Sequence, residues 1–100
     1  MNYRNLGPTA FQLALDAQDN PCLLDVRTPH EVAAGVIQDP LVIDFLGADF
    51  AQKVKALDRE KTYCVYCRSG QRSANACQVM ANLGFKSLVN LEGGILAWNA

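Results

Sequence analysis

Residues 62–73 read TYCVYCRSGQRS, and this stretch decides the fold because it joins two kinds of secondary structure. The apolar run from Tyr63 to Tyr66 predicts a strand, and the amphipathic run from Ala74 to Leu83 predicts a helix. A strand, a short polar turn and a helix collect unpaired N–H groups around one point. That point carries the thiol of Cys67, with two arginines and a glycine beside it. Such a turn can hold a thiolate and bind an anion against it.

Strands alternate with helices along the rest of the chain. Other short apolar runs predict strands at 22–26, 41–43 and 87–90. Helical spacing predicts helices near 9–18, 28–35, 50–57, 74–83 and from 93 onward. This order favours an α/β fold with a parallel sheet, in which ligands bind at the carboxyl edge of the strands. The turns after Val26 and Tyr66 are expected to meet there, which brings residues 27–31 near Cys67.

Capping signals mark two of the helix starts. Thr9 with Gln12 fits a capping box, and residues 28–31, TPHE, fit a clearer one with proline at the first helical position. Gly35 is suited to end the second of these helices.

Composition indicates one globular domain over residues 1–100. Half of the residues are apolar, which allows a real core, while 19% are charged and the net charge is −1. That balance provides no basic footprint for nucleic acid. Between residues 61 and 86, however, there are four basic residues and no carboxylate. This local excess surrounds Cys67, where it would attract an anionic substrate.

The sequence also indicates where the protein is located and whether its cysteines are reduced. No apolar run approaches the ~20 residues that span a bilayer, so no membrane partner is expected. Met1–Arg4 shows no apolar signal region, so we expect a cytoplasmic protein whose four cysteines stay reduced. Cys22 and Cys77 fit packing positions. Without a second cluster of histidine or cysteine, neither a metal site nor a cofactor is expected.

The loop after Cys67 suggests its chemistry. Amides from Arg68 to Arg72 can wrap around the sulfur, with the positive end of the following helix pointing at it. Free cysteine titrates near ~8.5, and a helix N-terminus with basic neighbours lowers that pKa to roughly 3.5–7.5, so a thiolate is expected at pH 7. Gly70 supplies a positive φ or room for close approach. The same cradle would stabilise a persulfide anion, which is one atom longer.

Three other chemistries compete for this cysteine. A phosphatase loop has five residues between its cysteine and its arginine, but only four separate Cys67 from Arg72, and the next position is Ser73. The tighter loop suits one sulfur atom better than a phosphoryl group. A thioredoxin-like pair with Cys64 is disfavoured, because two strand residues three apart should point to opposite faces. A cysteine–histidine hydrolase would need His30, the only histidine, as its base.

With these motifs the chain resembles the single-domain rhodaneses, a family of sulfurtransferases. The likeness covers nearly the whole sequence and rests on three motifs in the family order. These are residues 25–31 with 35–37, residues 67–73, and residues 91–94 with Trp98. The six-residue loop that begins at Cys67 is similar to that of the sulfur-transferring members. The resemblance implies a rhodanese-like fold, with a central parallel sheet of about five strands and helices on both faces.

The resemblance also implies a two-step reaction. Cys67 takes the sulfane sulfur of thiosulfate or another donor as a persulfide, and cyanide or a thiol then removes it. The substrate-binding candidates are Arg68, Ser69, Gly70, Gln71 and Arg72. The two arginines are suited to sulfonate oxygens and to countering charge.

The first motif is expected to support the site rather than touch substrate. Asp25, Arg27 and Glu31 are predicted to form caps and buried ion pairs. Arg72 has two alternatives, since it can bind the donor or tie the loop to Asp25 or Glu31. The chain departs from the usual family pattern at Val36, where a histidine is common, and at Val32, where an aromatic residue is common; both positions concern packing more than sulfur chemistry.

Two further functions stay open on sequence grounds. A non-catalytic persulfide relay would use the same cysteine in complex with a dedicated partner enzyme. A redox switch would instead form a disulfide between Cys64 and Cys67.

Overall fold

The computed structural model describes residues 2–100, so Met1, the first residue of the N-terminal stretch considered above, lies outside it. Strands and helices alternate along these residues. In chain order they are β1 (Arg4–Leu6), α1 (Pro8–Asp16), β2 (Cys22–Asp25), α2 (Pro29–Ala33), β3 (Leu41–Val42), α3 (Phe50–Lys55), β4 (Thr62–Tyr66), α4 (Gln71–Asn82), β5 (Ser87–Leu91) and α5 (Gly94–Trp98). The predicted α/β class is confirmed.

The described strands form one parallel sheet in the order β1-β5-β4-β2-β3. The central strand is β4, in which Cys64 lies between Leu23 of β2 and Val89 of β5. Beyond β2, the Val26 amide donates to the Tyr66 carbonyl at 3.1 Å. The carboxyl ends of β2 and β4 therefore lie side by side, as predicted.

Each face of the sheet has its own hydrophobic core. Helices α1 and α5 pack on the face that buries Cys64. Helices α3 and α4 pack on the face that buries Cys67. The predicted opposite directions of the two cysteines are thus confirmed, and so is the arrangement of helices on both faces of the sheet.

One of the two predicted capping boxes is wrong. Helix α1 begins at Pro8 with Gly7 as its N-cap, and no side chain caps it. Thr9 therefore already lies inside the helix, because Pro8 takes the first helical position that its fixed φ suits. The second box is confirmed, since the Thr28 hydroxyl accepts from the Glu31 amide and the Glu31 carboxylate accepts from the Thr28 amide.

Strand β1 has no counterpart in the predicted strands. It has three residues, and only Leu6 is even partly buried, so neither length nor alternation marks it. Its pairing with β5, in which Leu6 lies opposite Leu91, makes it a strand. Within residues 2–100, no helix combines the length and the apolar character that a bilayer crossing requires.

Candidate active site

Cys67 follows the last residue of the central strand, where the chain turns into α4. Three donors converge on its sulfur. The Gly70 amide lies 3.1 Å from Sγ, the Ser73 hydroxyl 3.3 Å and the Ser73 amide 3.4 Å. The predicted cradle of amides from residues 68–72 is therefore only partly right. Gly70 lies within that segment, whereas Ser73, which supplies two of the three donors, lies one residue beyond it.

The pKa of Cys67 reflects two opposing influences. Burial, with 1% of the residue exposed, raises the pKa because it strips water from the thiolate. Hydrogen bonds from the Ser73 hydroxyl, the Ser73 amide and the amides of Gly70 and Ser69 lower it. The hydrogen bonds prevail, and the net shift is downward from the ordinary thiol value. The site therefore favours the thiolate more than an ordinary cysteine environment does.

The other cysteines show the contrast. Burial without such donors raises the pKa of Cys64 to about 11 and that of Cys77 to about 12, so both stay protonated thiols at neutral pH. Cys22 is half-buried, and burial raises its pKa as well. All four cysteines are free thiols, and Cys67 alone among them has a lowered pKa.

The outer side of the loop is fixed by the first turn of α5. The Ile95 amide donates to the Cys67 carbonyl at 2.9 Å, and the Leu96 amide donates to the Arg68 carbonyl at 3.2 Å. Gly94 allows this close approach, because a Cβ there would collide with the Arg68 carbonyl and lie 2.7 Å from the Cys67 carbonyl. Gly94, in the third motif, thus lets α5 pack directly against the backbone of the cysteine loop.

Arg72 forms a two-pronged ion pair with Glu31. Its Nη1 and Nη2 atoms lie 2.7 and 2.8 Å from the two carboxylate oxygens, and both side chains are about three-quarters buried. This is one of the two alternatives that the sequence left open. The Arg72 hydrogen bonds lower the pKa of Glu31 to about 2, so the carboxylate is charged at any physiological pH.

Asp25 and Arg27 form a second ion pair, buried beneath the turn after β2. Arg27 Nη2 lies 2.7 Å from Asp25 Oδ2 and also 2.7 Å from the Gly35 carbonyl, while Asp25 accepts the Arg27 amide at 2.9 Å. The Arg27 guanidinium also lies over the Tyr66 ring, 5.5 Å from its centre. The pair closes the 25–35 segment on itself, as expected of a supporting element.

The remaining loop candidates face solvent. Arg68, Ser69 and Gln71 are exposed at the mouth of the turn, where Arg68 makes no ion pair within residues 2–100. His30 is also exposed. Within the described part of the chain there is no group of three or more metal-ligating side chains.

Comparison with known proteins identifies the family of the chain. The family model described as the rhodanese-like domain matches residues 8–100. The chain belongs to the rhodanese-like domain family. Among its relatives is YtwF of Bacillus subtilis, which carries a sulfurtransferase name and is 38% identical over 98% of this chain and 92% of the relative. A sulfurtransferase of Allochromatium vinosum is 37% identical over 76% of this chain and 69% of the relative.

Solved structures confirm the rhodanese-like fold. A rhodanese-related protein from Thermoplasma volcanium matches with a TM-score of 0.82 at 33% identity, covering 97% of this chain and 91% of the other. A rhodanese-like domain protein from Staphylococcus aureus matches with the same TM-score at 25% identity, covering 95% and 90%.

One residue of the candidate site in this rhodanese-like domain was not predicted from the sequence. Ser73 entered that reasoning only as the position where a phosphatase would carry arginine, yet its hydroxyl and amide both reach the sulfur. The available signal was a serine in the first turn of the helix that follows a cysteine loop, where N–H groups and short hydroxyls face the loop.

Proposed function

We propose that this domain transfers a sulfane sulfur from an anionic donor, in the simplest case thiosulfate, to cyanide or a thiol through a persulfide on Cys67. The observation that carries the proposal is the convergence of three hydrogen-bond donors on the Cys67 sulfur. Such donors stabilise a negative charge in a site shielded from water. The relatives named as sulfurtransferases support sulfur transfer as the general class of activity.

In the first half-reaction the Cys67 thiolate attacks the outer sulfur of thiosulfate. A new sulfur–sulfur bond forms while the original one breaks, and sulfite leaves with the bonding electron pair. The negative charge of the attacking thiolate ends on the sulfite, and the transferred sulfur keeps its own charge as the persulfide anion. No proton moves in this step, so the loop has to supply only charge stabilisation and alignment.

In the second half-reaction the acceptor attacks the outer sulfur of the persulfide. Cyanide carries the sulfur away as thiocyanate, and the electron pair of the broken bond returns to Cys67 as the thiolate. A thiolate acceptor reacts by the same displacement and leaves as a persulfide. Both half-reactions thus begin and end with an anionic sulfur at Cys67, which the Gly70 and Ser73 donors favour.

Arg68 is the proposed contact for the sulfonate oxygens of the donor. Its exposed guanidinium makes no ion pair within residues 2–100, whereas Arg72 is already held by Glu31. Arg72 therefore contributes positive potential near the sulfur and fixes the start of α4. Its guanidinium is not available to bind the donor. The side chains of Ser69 and Gln71 complete the exposed rim of the turn.

The test is intact-mass measurement after incubation with excess thiosulfate. The unchanged protein should gain the mass of one sulfur atom and lose it again on addition of cyanide, with thiocyanate released. Cys67→Ser should gain nothing, whereas the matched control Cys22→Ser should load normally. A gain that persists in Cys67→Ser, or no gain in the unchanged protein with thiosulfate, would contradict the proposal.

Repeated turnover separates the enzyme from a persulfide relay. An enzyme should release thiocyanate continuously with small donors and acceptors alone. Loading without turnover would favour the relay, which delivers its sulfur to the thiol of a partner protein. Peptide mass analysis after mild oxidation tests the redox switch, which requires a bond between Cys64 and Cys67 across the sheet.

A further inference from the structure

Asn90 interrupts the apolar run of β5. Leu88, Val89 and Leu91 are buried apolar residues, and Asn90 between them is only 2% exposed. A buried amide is costly unless hydrogen bonds replace its lost water. Its position on the strand next to β4 places it beside the cysteine loop.

The NH₂ group of Asn90 is fully used, while its oxygen is not. Nδ2 donates to the Gly70 carbonyl at 3.3 Å and to Asn5 Oδ1 at 2.8 Å. Oδ1 is buried and has no hydrogen-bond partner within residues 2–100. An apolar side chain here would avoid that unpaired oxygen. The two hydrogen bonds that Nδ2 donates are therefore what an asparagine contributes at this position.

Gly70 links this amide to the reacting sulfur. Its N–H donates to Cys67 Sγ at 3.1 Å, and its carbonyl accepts both the Asn90 side chain and the Ala74 amide that opens α4. Its φ of +99° is a conformation that other residues rarely adopt. The Gly70 N–H and carbonyl belong to the two peptide groups on either side of its Cα, so a fixed carbonyl limits the N–H only through the backbone angles of Gly70. Because glycine is the residue least restricted in those angles, contacts that hold its carbonyl matter for its N–H.

We propose that Asn90 is a positioning residue, whose side chain holds the Gly70 carbonyl and thereby keeps the Gly70 N–H aimed at the Cys67 sulfur. This deepens the proposed function and rests on it, since Cys67 is taken as the sulfur-carrying nucleophile. Asn90 acts from a neighbouring strand and touches neither the sulfur nor the substrate. Because β5 belongs to the rigid sheet, it provides a firmer anchor than the turn itself.

A polar cavity of about 230 Å³ lies beside this contact and makes its removal testable. Its lining includes Asn5, Gly70, Asn90 and Glu92. When the Asn90 side chain is shortened, water can enter from this cavity and hydrate the Gly70 carbonyl. The fold should then persist while the turn loses its fixed orientation.

The experiment measures the pH dependence of Cys67 alkylation in Asn90→Ala. We expect the apparent pKa of Cys67 to rise, with roughly threefold to tenfold less thiolate at neutral pH, as the loss of one hydrogen bond implies. Sulfur loading from thiosulfate, followed by intact mass, should slow by a similar factor. The other groups facing the sulfur, Arg72 with its partner Glu31 and the thiol of Cys77, are unchanged in the variant.

Asn5→Ala is the matched control, because it removes the other acceptor of the Asn90 amide and leaves the Gly70 bond in place. It should leave the pKa of Cys67 where it is. An unchanged pKa in folded Asn90→Ala, or equal rises in both variants, would overturn the positioning role. If Asn90→Ala does not fold, Asn90→Val replaces it, since valine is β-branched, which suits a strand, and has no hydrogen-bond donor.

Alkylation does not depend on sulfur transfer, so the two proposals fail separately. A raised pKa in Asn90→Ala together with no thiosulfate loading in the unchanged protein would keep the positioning role and remove the proposed function. Normal thiosulfate loading of the unchanged protein, together with an unchanged Cys67 pKa in Asn90→Ala, would keep the proposed function and remove the positioning role.

Discussion

At the scale of single residues, Ser73 provides two of the three donors to the Cys67 sulfur. It is fully buried in the first turn of α4, with its hydroxyl 3.3 Å and its amide 3.4 Å from Sγ. The amide is part of the helix and survives any ordinary substitution. The hydroxyl is the donor that mutation can remove cleanly.

Ser73→Ala should raise the pKa of Cys67. A hydrogen bond to a charged group contributes about 1.5–3 kcal/mol, which corresponds to a rise of roughly one to two pH units. The pH profile of alkylation measures this shift. Ser69→Ala is the matched control for that pKa, because the Ser69 side chain is exposed and only its amide acts on the sulfur. Identical profiles for Ser73→Ala and the unchanged protein would contradict the role of the hydroxyl.

At the scale of elements, the first turn of α5 fixes the cysteine loop from outside. Two amides at its start donate to the carbonyls of Cys67 and Arg68, and Gly94, at φ +63°, lies directly against those carbonyls. The loop is therefore held between α5 outside and the Asn90 side chain of β5. A displacement of α5 should therefore change the position of the Cys67 loop and the hydrogen bonds to the sulfur.

Gly94→Ala should destabilise the protein and disturb the loop. A left-handed backbone at a residue with a Cβ costs on the order of 1–3 kcal/mol, and the collision with the Arg68 carbonyl adds to it. Chemical denaturation measures the loss, and we expect the pKa of Cys67 to rise in the same variant.

Gly7→Ala is the control for this substitution. Gly7 has a φ of −69°, and a Cβ there meets nothing within 4 Å, so a loss below about 1 kcal/mol is expected. Equal losses of unfolding free energy in the two variants would contradict the close contact between Gly94 and the Cys67 and Arg68 carbonyls.

At the scale of the whole molecule, the ion pair of Glu31 and Arg72 connects the two halves of the site. Glu31 lies in the first turn of α2 and also closes the Thr28 capping box, while Arg72 lies in the first turn of α4. The pair therefore ties together the segments that follow β2 and β4. Its contribution should appear in the stability of the entire fold.

Acid should reveal that contribution. The pKa of Glu31 falls from its ordinary value of 4.5 to about 2 in the folded protein, chiefly through the Arg72 hydrogen bonds. A lowered pKa stabilises the fold above pH 4.5 and loses that effect as the pH falls toward 2. The loss is on the order of 3 kcal/mol at most, because both side chains are about one-quarter exposed and solvent screens the pair. That is still a sizeable part of the ~5–15 kcal/mol that holds a typical domain together.

The measurement is the free energy of unfolding between neutral and acid pH. Glu31→Gln should be less stable than the unchanged protein at neutral pH and should lose less unfolding free energy on acidification. The stability curves of the two proteins should therefore converge at acid pH. Glu60→Gln is the control, because its pair with Lys86 is long at 3.9 Å and exposed, and should contribute little. Parallel curves for Glu31→Gln and the unchanged protein would contradict the assignment.

Much of the fold and the centre of the site could be predicted from neighbouring residues. The apolar run before Cys67 and the helical spacing after it predicted the strand, the turn and the helix, although α4 begins at Gln71 rather than at the predicted Ala74. The capping box at Thr28 was equally local, and alternation along β4 placed Cys64 and Cys67 on opposite faces. These features depend on backbone hydrogen bonds and side-chain period within a few residues, which the sequence states directly.

The tertiary structure alone decided the contacts between distant residues. It chose Glu31 as the partner of Arg72 across 41 positions, made a strand of residues 4–6, and brought Asn90 to the Gly70 carbonyl. Each contact follows from the strand order β1-β5-β4-β2-β3. Local patterns do not specify that order, because it depends on how all the elements bury their apolar faces at once.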